Sequence, residues 1–376
     1  MPWKEVSRMS QRREFVMLAR AQGANMRALC RHFRISPTTG YKWLWRYRER
    51  NEDGLVDLPR RPYHSPFRTA AEVERTVLAA REAHPAWGAR KLRAWLLAKG
   101  HEWMPSPSTI TAILKRHGRI DPAEGLTHRP WQRFERQTPN ELWQMDFKGH
   151  FPLTRGRCHP LTVLDDHSRF ALGLQACGNE QGETVQERLT AIFRRYGLPN
   201  TMLMDNGSPW GHDQDPLYTP FTVWLLRLGI GVSHGRPYHP QTQGKDERFH
   251  RTMTVEVLQG SSFTDLAHCQ RAFDRWRDVY NLERPHEALD LATPASKYQV
   301  SQRPFPEVLP PLEYEPTDLV RRVRDKGRIM LFGRIFKVPK AFKGMPVAIR
   351  PTTTDGVWNV FFAIHEIAQL DLRQDA

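Results

Sequence analysis

Apolar positions recur at helical spacing through the first third of the chain and give way to strand-like runs after it. Met26 to Phe33 reads as a short amphipathic helix. Ile35-Ser36-Pro37 then forms a turn, with Ser36 as N-cap and Pro37 at the first helical position of a second helix, Thr38 to Arg48. The pattern repeats more weakly in helices at 70–83, 89–98 and 108–117, with Ser106 or Ser108 able to cap the third. From 138 onward, Leu142 to Phe147, Leu161 to Leu164, Phe170 to Leu174 and Thr201 to Met204 have strand character. Gly182 to Tyr196 is an amphipathic helix with Val185, Leu189, Ile192 and Phe193 on one face, and further helices follow at 216–228 and 241–258. Beyond 317 the pattern is short strands again: a hairpin turning near Gly333, then Met345 to Arg350, Val357 to Ala363 and Ile367 to Leu372.

Three polar or proline-bearing breaks divide these elements. The expected organisation is a helix-turn-helix DNA-binding domain over 1–50, a linker over 51–66 and a second helix-turn-helix domain over 67–118. A basic linker over 119–137 then leads to an α/β core over 138–300, in which a mixed sheet is covered by helices. A Pro-rich linker over 301–316 precedes a small β-barrel of five strands over 317–376. The fold class is thus multidomain: all-α at the N-terminus, α/β in the middle, all-β at the end.

Charge changes the picture from a fold to a partner. The 376 residues carry a formal net charge of +15, which points to a polyanion. Residues 1–137 hold +14 of it, residues 138–300 are −2 and residues 301–376 are +3. In the first helix-turn-helix, Thr38, Thr39, Lys42, Arg46 and Arg48 on the second helix are the expected DNA contacts. The most apolar stretch, Phe221 to Val232, is too short for a bilayer span and contains Arg227, so no membrane partner is expected. No secretory h-region is evident, and Cys30, Cys158, Cys177 and Cys269 form no C-x-x-C pair. A reducing cytoplasm without a disulfide framework or zinc site is expected.

The candidate chemistry is a set of carboxylates. Asp146 and Asp205 lie on two strands and Glu247 near the start of a helix. If the strands are neighbours and the helix crosses their ends, the three converge. Converging anions raise one another's pKa unless a cation lies between them, and hard oxygen donors suit Mg²⁺ or Mn²⁺. Two such ions can serve an in-line phosphoryl displacement. In a chain with 41 acidic residues, three carboxylates alone are a weak signal; their surroundings sharpen it.

Those surroundings are Trp143-Gln144-Met145-Asp146, Asp165-Asp166-His167-Ser168-Arg169, Asp205-Asn206-Gly207 and His239-Pro240-Gln241-Thr242-Gln243-Gly244-Lys245-Asp246-Glu247. Tyr280-Asn281-Leu282-Glu283-Arg284-Pro285-His286 and Thr293-Pro294 follow. In this order they resemble a bacterial insertion-sequence transposase of the DDE class with a retroviral-integrase-type core. The resemblance implies a ribonuclease H-like core and Asp146, Asp205 and Glu247 as catalytic metal ligands for two Mg²⁺ or Mn²⁺ ions. It also implies an SH3-like C-terminal barrel, and a homo-oligomer acting on double-stranded DNA, both element terminal repeats and target. Two departures stand out. Between Asp205 and Glu247 lie 41 residues, more than in retroviral integrases, with the excess assigned to the polar stretch 210–220; and no His-His-Cys-Cys module precedes the core.

Neighbouring residues are read more plainly. Asp165 and Asp166 are expected in a structural strand end with Ser168 and Arg169, and Asp246, about 100° round the helix from Glu247, is expected in solvent. Lys245, Arg248 and Arg251 are expected to touch DNA phosphate. His239 and His167 play at most a supporting part, Asn206 orients Asp205 or caps a turn, and Phe273, Trp276 and Tyr280 are core. A simple nuclease and a non-catalytic DNA-binding regulator are the competing readings.

Overall fold

The computed structural model describes residues 8–58, 69–120, 135–205, 207–210, 218–234 and 244–373. Asn206, His239, the 235–243 segment, most of the 210–220 stretch and most of the basic linker lie outside the described residues. The chain divides into two compact units, residues 1–68 and 69–376.

In the first unit, three helices, α1 (Arg8–Ala19), α2 (Met26–His32) and α3 (Pro37–Arg50), enclose Phe15, Val16, Cys30, Trp43, Leu44, Tyr47 and Leu55. The local signals explain the turn. Asn25 caps α2 by accepting the Ala28 amide, Ser36 caps α3 by accepting the Thr39 amide, and Pro37 stands in the first turn. Gly40 lets α3 sit directly on its neighbours, since a Cβ there would lie 2.7 Å from both Cys30 Sγ and Phe15 Cζ.

The second unit begins with α4 (Ala71–Ala83), α5 (Ala89–Ala98) and α6 (Pro107–Arg116), packed around Val77, Trp87, Leu92, Leu96, Met104, Ile110, Ile113 and Leu114. Ser106 is the cap of α6. This bundle rests on the α/β core. Trp87 Nε1 donates to Glu256 Oε1 at 3.2 Å, Trp95 Nε1 to Glu283 Oε2 at 3.1 Å, and Lys99 pairs with Glu283 at 3.2 Å.

The core is a six-stranded mixed sheet of β1 (Leu142–Phe147), β2 (Phe151–Pro152), β3 (Arg157–Asp165), β4 (Ala171–Cys177), β5 (Thr201–Met204) and β6 (Gly231–His234). Its order is β2-β3-β1-β5-β6, with β4 also on β3. Antiparallel pairing holds β1 to β3 and β3 to β4, whereas β1–β5 and β5–β6 are parallel. Side chains alternate between two buried faces. Trp143, Met145, Val163, Leu172 and Met202 face α7 (Gly182–Tyr196) and α8 (Pro220–Arg227). Leu164, Ala171, Leu174 and Ala176 face α9 (Gly244–Met253) and α10 (Leu266–Asp278), where Phe249, Phe273, Trp276 and Tyr280 complete the layer. Helices α9 and α10 each continue into a wider i→i−5 turn, over 254–258 and 279–283. The helix expected over 216–228 starts later, at Pro220, because Thr219 caps it through the Thr222 amide.

The C-terminal strands are β7 (Leu319–Arg322), β8 (Arg328–Leu331), β9 (Arg334–Lys337), β10 (Pro346–Pro351), β11 (Val357–Phe362) and β12 (His365–Asp371). They differ from the five-strand barrel expected. Among the described residues there are six strands, arranged as a four-stranded sheet β12-β11-β10-β7 and a separate β8–β9 hairpin, with no closed ladder. The hairpin leaves the sheet at Lys326 and Gly327, both at positive φ, and a Cβ on Gly327 would stand 2.1 Å from the Val338 carbonyl. This sheet shares its core with α8: Val223 and Leu226 lie among Val347, Ile349, Val360 and Phe362.

Candidate active site

Strand pairing sets the geometry. In the parallel β1–β5 ladder, Leu142 pairs with Thr201, Trp143 with Met202 and Gln144 with Leu203. Carried two residues further, that register brings Asp146 opposite Asp205 at the C-terminal ends of both strands. Glu247 stands in the first turn of α9, which touches β1 and leaves Glu247 exposed. Asp205 accepts the Gly207 amide at 3.0 Å, and its carbonyl lies 2.7 Å from His234 Nδ1.

The electrostatics follow from the crowding. Burial, then the charge of Asp205, pushes the Asp146 carboxyl up to about 7, with Glu180 and Glu247 adding to the rise. Burial likewise raises Asp205, again with Glu180 contributing, while the Gly207 amide and His234 oppose it. Unpaired carboxylates repelling one another in a half-buried site are the donor chemistry that a hard divalent cation satisfies. The strand register brings Asp146 and Asp205 together, but among the described residues no three Asp, Glu, His or Cys side chains are drawn close enough to close around one ion, so Glu247 does not join them as expected. The two aspartates, with Glu247 on the adjoining helix, carry the oxygen donors that could hold one.

Sequence reasoning missed two side chains here. His250 lies one turn after Glu247, so their helical spacing was the available signal. Its Nε2 is 2.9 Å from Thr162 Oγ1, which itself donates to the Asp146 carbonyl at 3.0 Å. With the threonine proton so used, Nε2 is the donor to Oγ1, and Nδ1 presents its lone pair 3.9 Å from Asp146 Oδ2. Burial and Lys148 push His250 down to about 4, so the imidazole is neutral. Glu180 accepts from or pairs with His159 Nδ1 at 2.8 Å; no local motif marks it.

Behind the site the matching motifs interlock. Asp165 accepts the Ser168 amide and hydroxyl at 2.7 and 2.6 Å and the Asn140 amide at 2.7 Å, so it is a structural strand-end residue. Asp166 accepts Gln144 Nε2 at 2.6 Å and Lys245 Nζ at 2.5 Å, and Arg169 donates to its carbonyl. Asn281 clamps both backbone groups of Ala171. Arg284 reaches Glu256 at 3.3 Å.

Three expectations change. Asp246 is buried, at 1% exposure, because α9 turns Asp246, Phe249 and Met253 inward together. Its Oδ1 has no hydrogen-bond partner among the described residues, and burial with Asp146 and Asp166 nearby raises it well above the usual carboxylate range. Lys245 is committed to Asp166 rather than turned to solvent. Arg46 is half-buried, with its guanidinium 4.9 Å from the Trp43 ring centroid and Nη2 on the Val56 carbonyl at 3.1 Å. Thr38, Lys42, Arg48, Arg248 and Arg251 are exposed, whereas Thr39 is half-buried against Ser36. His167 is half-buried and contacts the Arg136 carbonyl, at 2.9 Å.

Comparison with known proteins agrees with this layout. Two integrase core domain models match residues 136–240 and 228–294, and the C-terminal domain of the IS481 family transposases matches 318–376. A helix-turn-helix domain matches 11–63 and a homeodomain-like domain 39–114. An uncharacterized 31.7 kDa protein of insertion element IS407 from Burkholderia multivorans is 28% identical over 265 residues, covering 66% of this chain and 89% of that protein. An uncharacterized 39.2 kDa protein of insertion element IS476 from Xanthomonas euvesicatoria is 30% identical over 161 residues, 42% of this chain and 44% of the relative. The HTLV-2 integrase catalytic core, solved with magnesium, aligns with 43% of this chain and 99% of its own at 16% identity and a TM-score of 0.33, a likeness too loose to carry an argument. No helix among the described residues is long and apolar enough to cross a membrane. The motifs in their order, the sheet that carries them and the matching domains together make this chain an insertion-sequence transposase of the DDE class, built on an integrase-type core.

Proposed function

We propose that the chain binds the terminal repeats of its element, hydrolyses a phosphodiester there and joins the freed 3′-hydroxyl to target DNA. Asp146, Asp205 and Glu247 would hold two Mg²⁺ or Mn²⁺ ions for both steps. The observation that carries this reading is the parallel β1–β5 pairing, which aligns Asp146 with Asp205 beside the helix of Glu247 and lifts Asp146 to about 7. When bound, the ions supply an activated attacking oxygen and offset charge at the leaving oxygen.

The chain's own groups do the rest. Thr162 and the neutral His250 fix the backbone and face of Asp146. The exposed Arg248 and Arg251, on the same helix as Glu247, neutralise the phosphate backbone. In the first step a water oxygen bonds to phosphorus as the P–O3′ bond breaks, leaving a 3′-hydroxyl and a 5′-phosphate. In the second, that 3′-oxygen bonds to a target phosphorus and displaces the target's own 3′-oxygen. Both helical blocks serve end binding, with Thr38, Thr39, Lys42 and Arg48 the contacts on α3. The strands of 317–376 act as the SH3-like module beside DNA or a neighbouring subunit. Work on two paired ends calls for a homo-oligomer.

The test is incubation of the full chain with Mg²⁺ and duplexes carrying the element ends. Nicked ends and end–target joints are expected. Asp146→Asn, Asp205→Asn and Glu247→Gln should each abolish both products while retaining end binding. Nicks without joints would make the protein a nuclease, neither product would make it a regulator, and near-normal joining by Glu247→Gln would overturn the carboxylate assignment.

A further inference from the structure

Helix α3 has an exposed face that phosphate contacts leave unexplained. Its buried side is Gly40, Trp43, Leu44 and Tyr47. Opposite them, Thr38, Tyr41, Trp45 and Arg48 follow at 3-4-3 spacing, which aligns them along one side of the helix. Tyr41 is 57% exposed and Trp45 64%. Two large aromatic side chains left in water on consecutive turns are an informative departure from ordinary surface composition.

The surroundings identify what would cover them. Residues 1–50 contain twelve Lys or Arg against three acidic residues, so the complementary partner is a polyanion. An α-helix with side chains is about 10–12 Å across and the major groove about 12 Å wide. The cations around Trp43, on α3 and on α1, are partly engaged elsewhere. Arg46 lies over the Trp43 ring and on the Val56 carbonyl, Arg12 lies 4.0 Å from the same ring centroid, and Lys42 lies 5.3 Å from it. Tyr41 and Trp45 lack the paired donors that recognise guanine. Their flat apolar faces match the one apolar group the major groove displays, the 5-methyl of thymine.

We propose that Tyr41 and Trp45 form an apolar reading edge that selects thymine 5-methyl groups in the major groove of the bound DNA. This rests on the reading of α3 as the recognition helix. Arg48 and Lys42 then supply phosphate attraction without base preference, and the aromatic pair supplies the selectivity.

The experiment uses the full chain and duplexes selected for binding from a random library. Each thymine of the selected duplex is replaced in turn by deoxyuridine, which removes the methyl and keeps every hydrogen-bonding group. Affinity is measured by fluorescence anisotropy at fixed salt. The selected site should contain fixed thymines, and at one or two of them deoxyuridine should weaken wild-type binding about fourfold, the value for one buried carbon group. Tyr41→Ala and Trp45→Ala, both at exposed positions and checked for an unchanged melting temperature, should bind more weakly and lose that discrimination. Lys42→Ala should lose affinity at every sequence, keep the discrimination and show a shallower salt dependence. Wild-type indifference to deoxyuridine at every position, or discrimination retained in both aromatic variants, would overturn the proposal. So would loss of self-association in the variants with unaltered DNA selectivity, which would assign the face to a second copy. Failure of the wild-type protein to select any duplex would instead overturn the underlying reading of α3.

Discussion

Asp146 should make the metal-free protein sensitive to pH. Its folded value of about 7 lies above its ordinary one, so folding favours the neutral form. The stabilisation linked to this group is complete in acid, below the ordinary aspartate value, and is lost as pH rises through about 7. The melting temperature of the metal-free protein should fall between pH 5 and 8, and Asp146→Asn should flatten that decline. Mg²⁺ binding at pH 6 should release close to one proton and at pH 8 almost none. Calorimetry in buffers of different ionisation enthalpy reads this directly, and a buffer-independent heat at pH 6 would refute it. Asp246 acts with the same sign. Asp246→Asn, which removes the ionisable group, should raise stability more at pH 8 than at pH 5, measured by urea denaturation. At this scale the sequence showed which residues matter more readily than what they touch. Gln144, Asp166 and Lys245 were legible as motif positions, but Lys245 is 79 residues from Asp166 and only the fold joins them. Glu247 and Asp246 were correctly read as facing different directions; the direction of burial was not, because a carboxylate on an inward face breaks the usual polarity pattern.

Strongly periodic helices were legible almost to the residue: α5 and α7 have the expected bounds without a side-chain cap, and α3 and α6 start at the Ser-Pro signals, where Ser36 and Ser106 cap them. Among the elements not placed, β2, β6 and β7 are two to four residues long and lack a periodic pattern of useful length, whereas α1 and α10 are 12 and 13 residues long and were left without bounds. Nor could periodicity show that the wide turn after α9 carries a hub. Glu256 accepts Trp87 Nε1 at 3.2 Å and Trp276 Nε1 at 2.7 Å, and pairs with Arg284 at 3.3 Å. Removing it leaves a largely buried guanidinium and two indole donors without their acceptor. Glu256→Ala should therefore cost about 3–5 kcal/mol. Glu256→Gln, which retains one acceptor oxygen, should cost about half as much. Urea unfolding followed by tryptophan fluorescence compares them, and equal, sub-kcal/mol losses would remove Glu256 from this role.

Over the whole molecule, charge was the reliable guide: the positive excess precedes the core, and the core gathers acids. Linkers were a poorer guide to physical separation. Val223 and Leu226 of α8 are buried, at 2% and 3% exposure, among side chains of the C-terminal sheet. A chain ending at residue 316 would bare them. It should melt lower than the full chain and aggregate on concentration, as followed by light scattering, and Val223→Ser with Leu226→Ser should restore its solubility. A truncated chain as stable and monodisperse as the full one would show that this wall is dispensable.

The seating of α4–α6 on the core through Trp87 and Trp95 bears on how such an enzyme can be retargeted. Exchanging residues 1–68 for another DNA-reading module leaves every contact described within 69–376 in place. Exchanging everything before residue 120 severs both indole–carboxylate bonds and leaves Glu256 and Glu283 facing a stranger. Two cut sites that look equivalent on a linear map are therefore unequal grafts, and the earlier one is where a chimera should be joined.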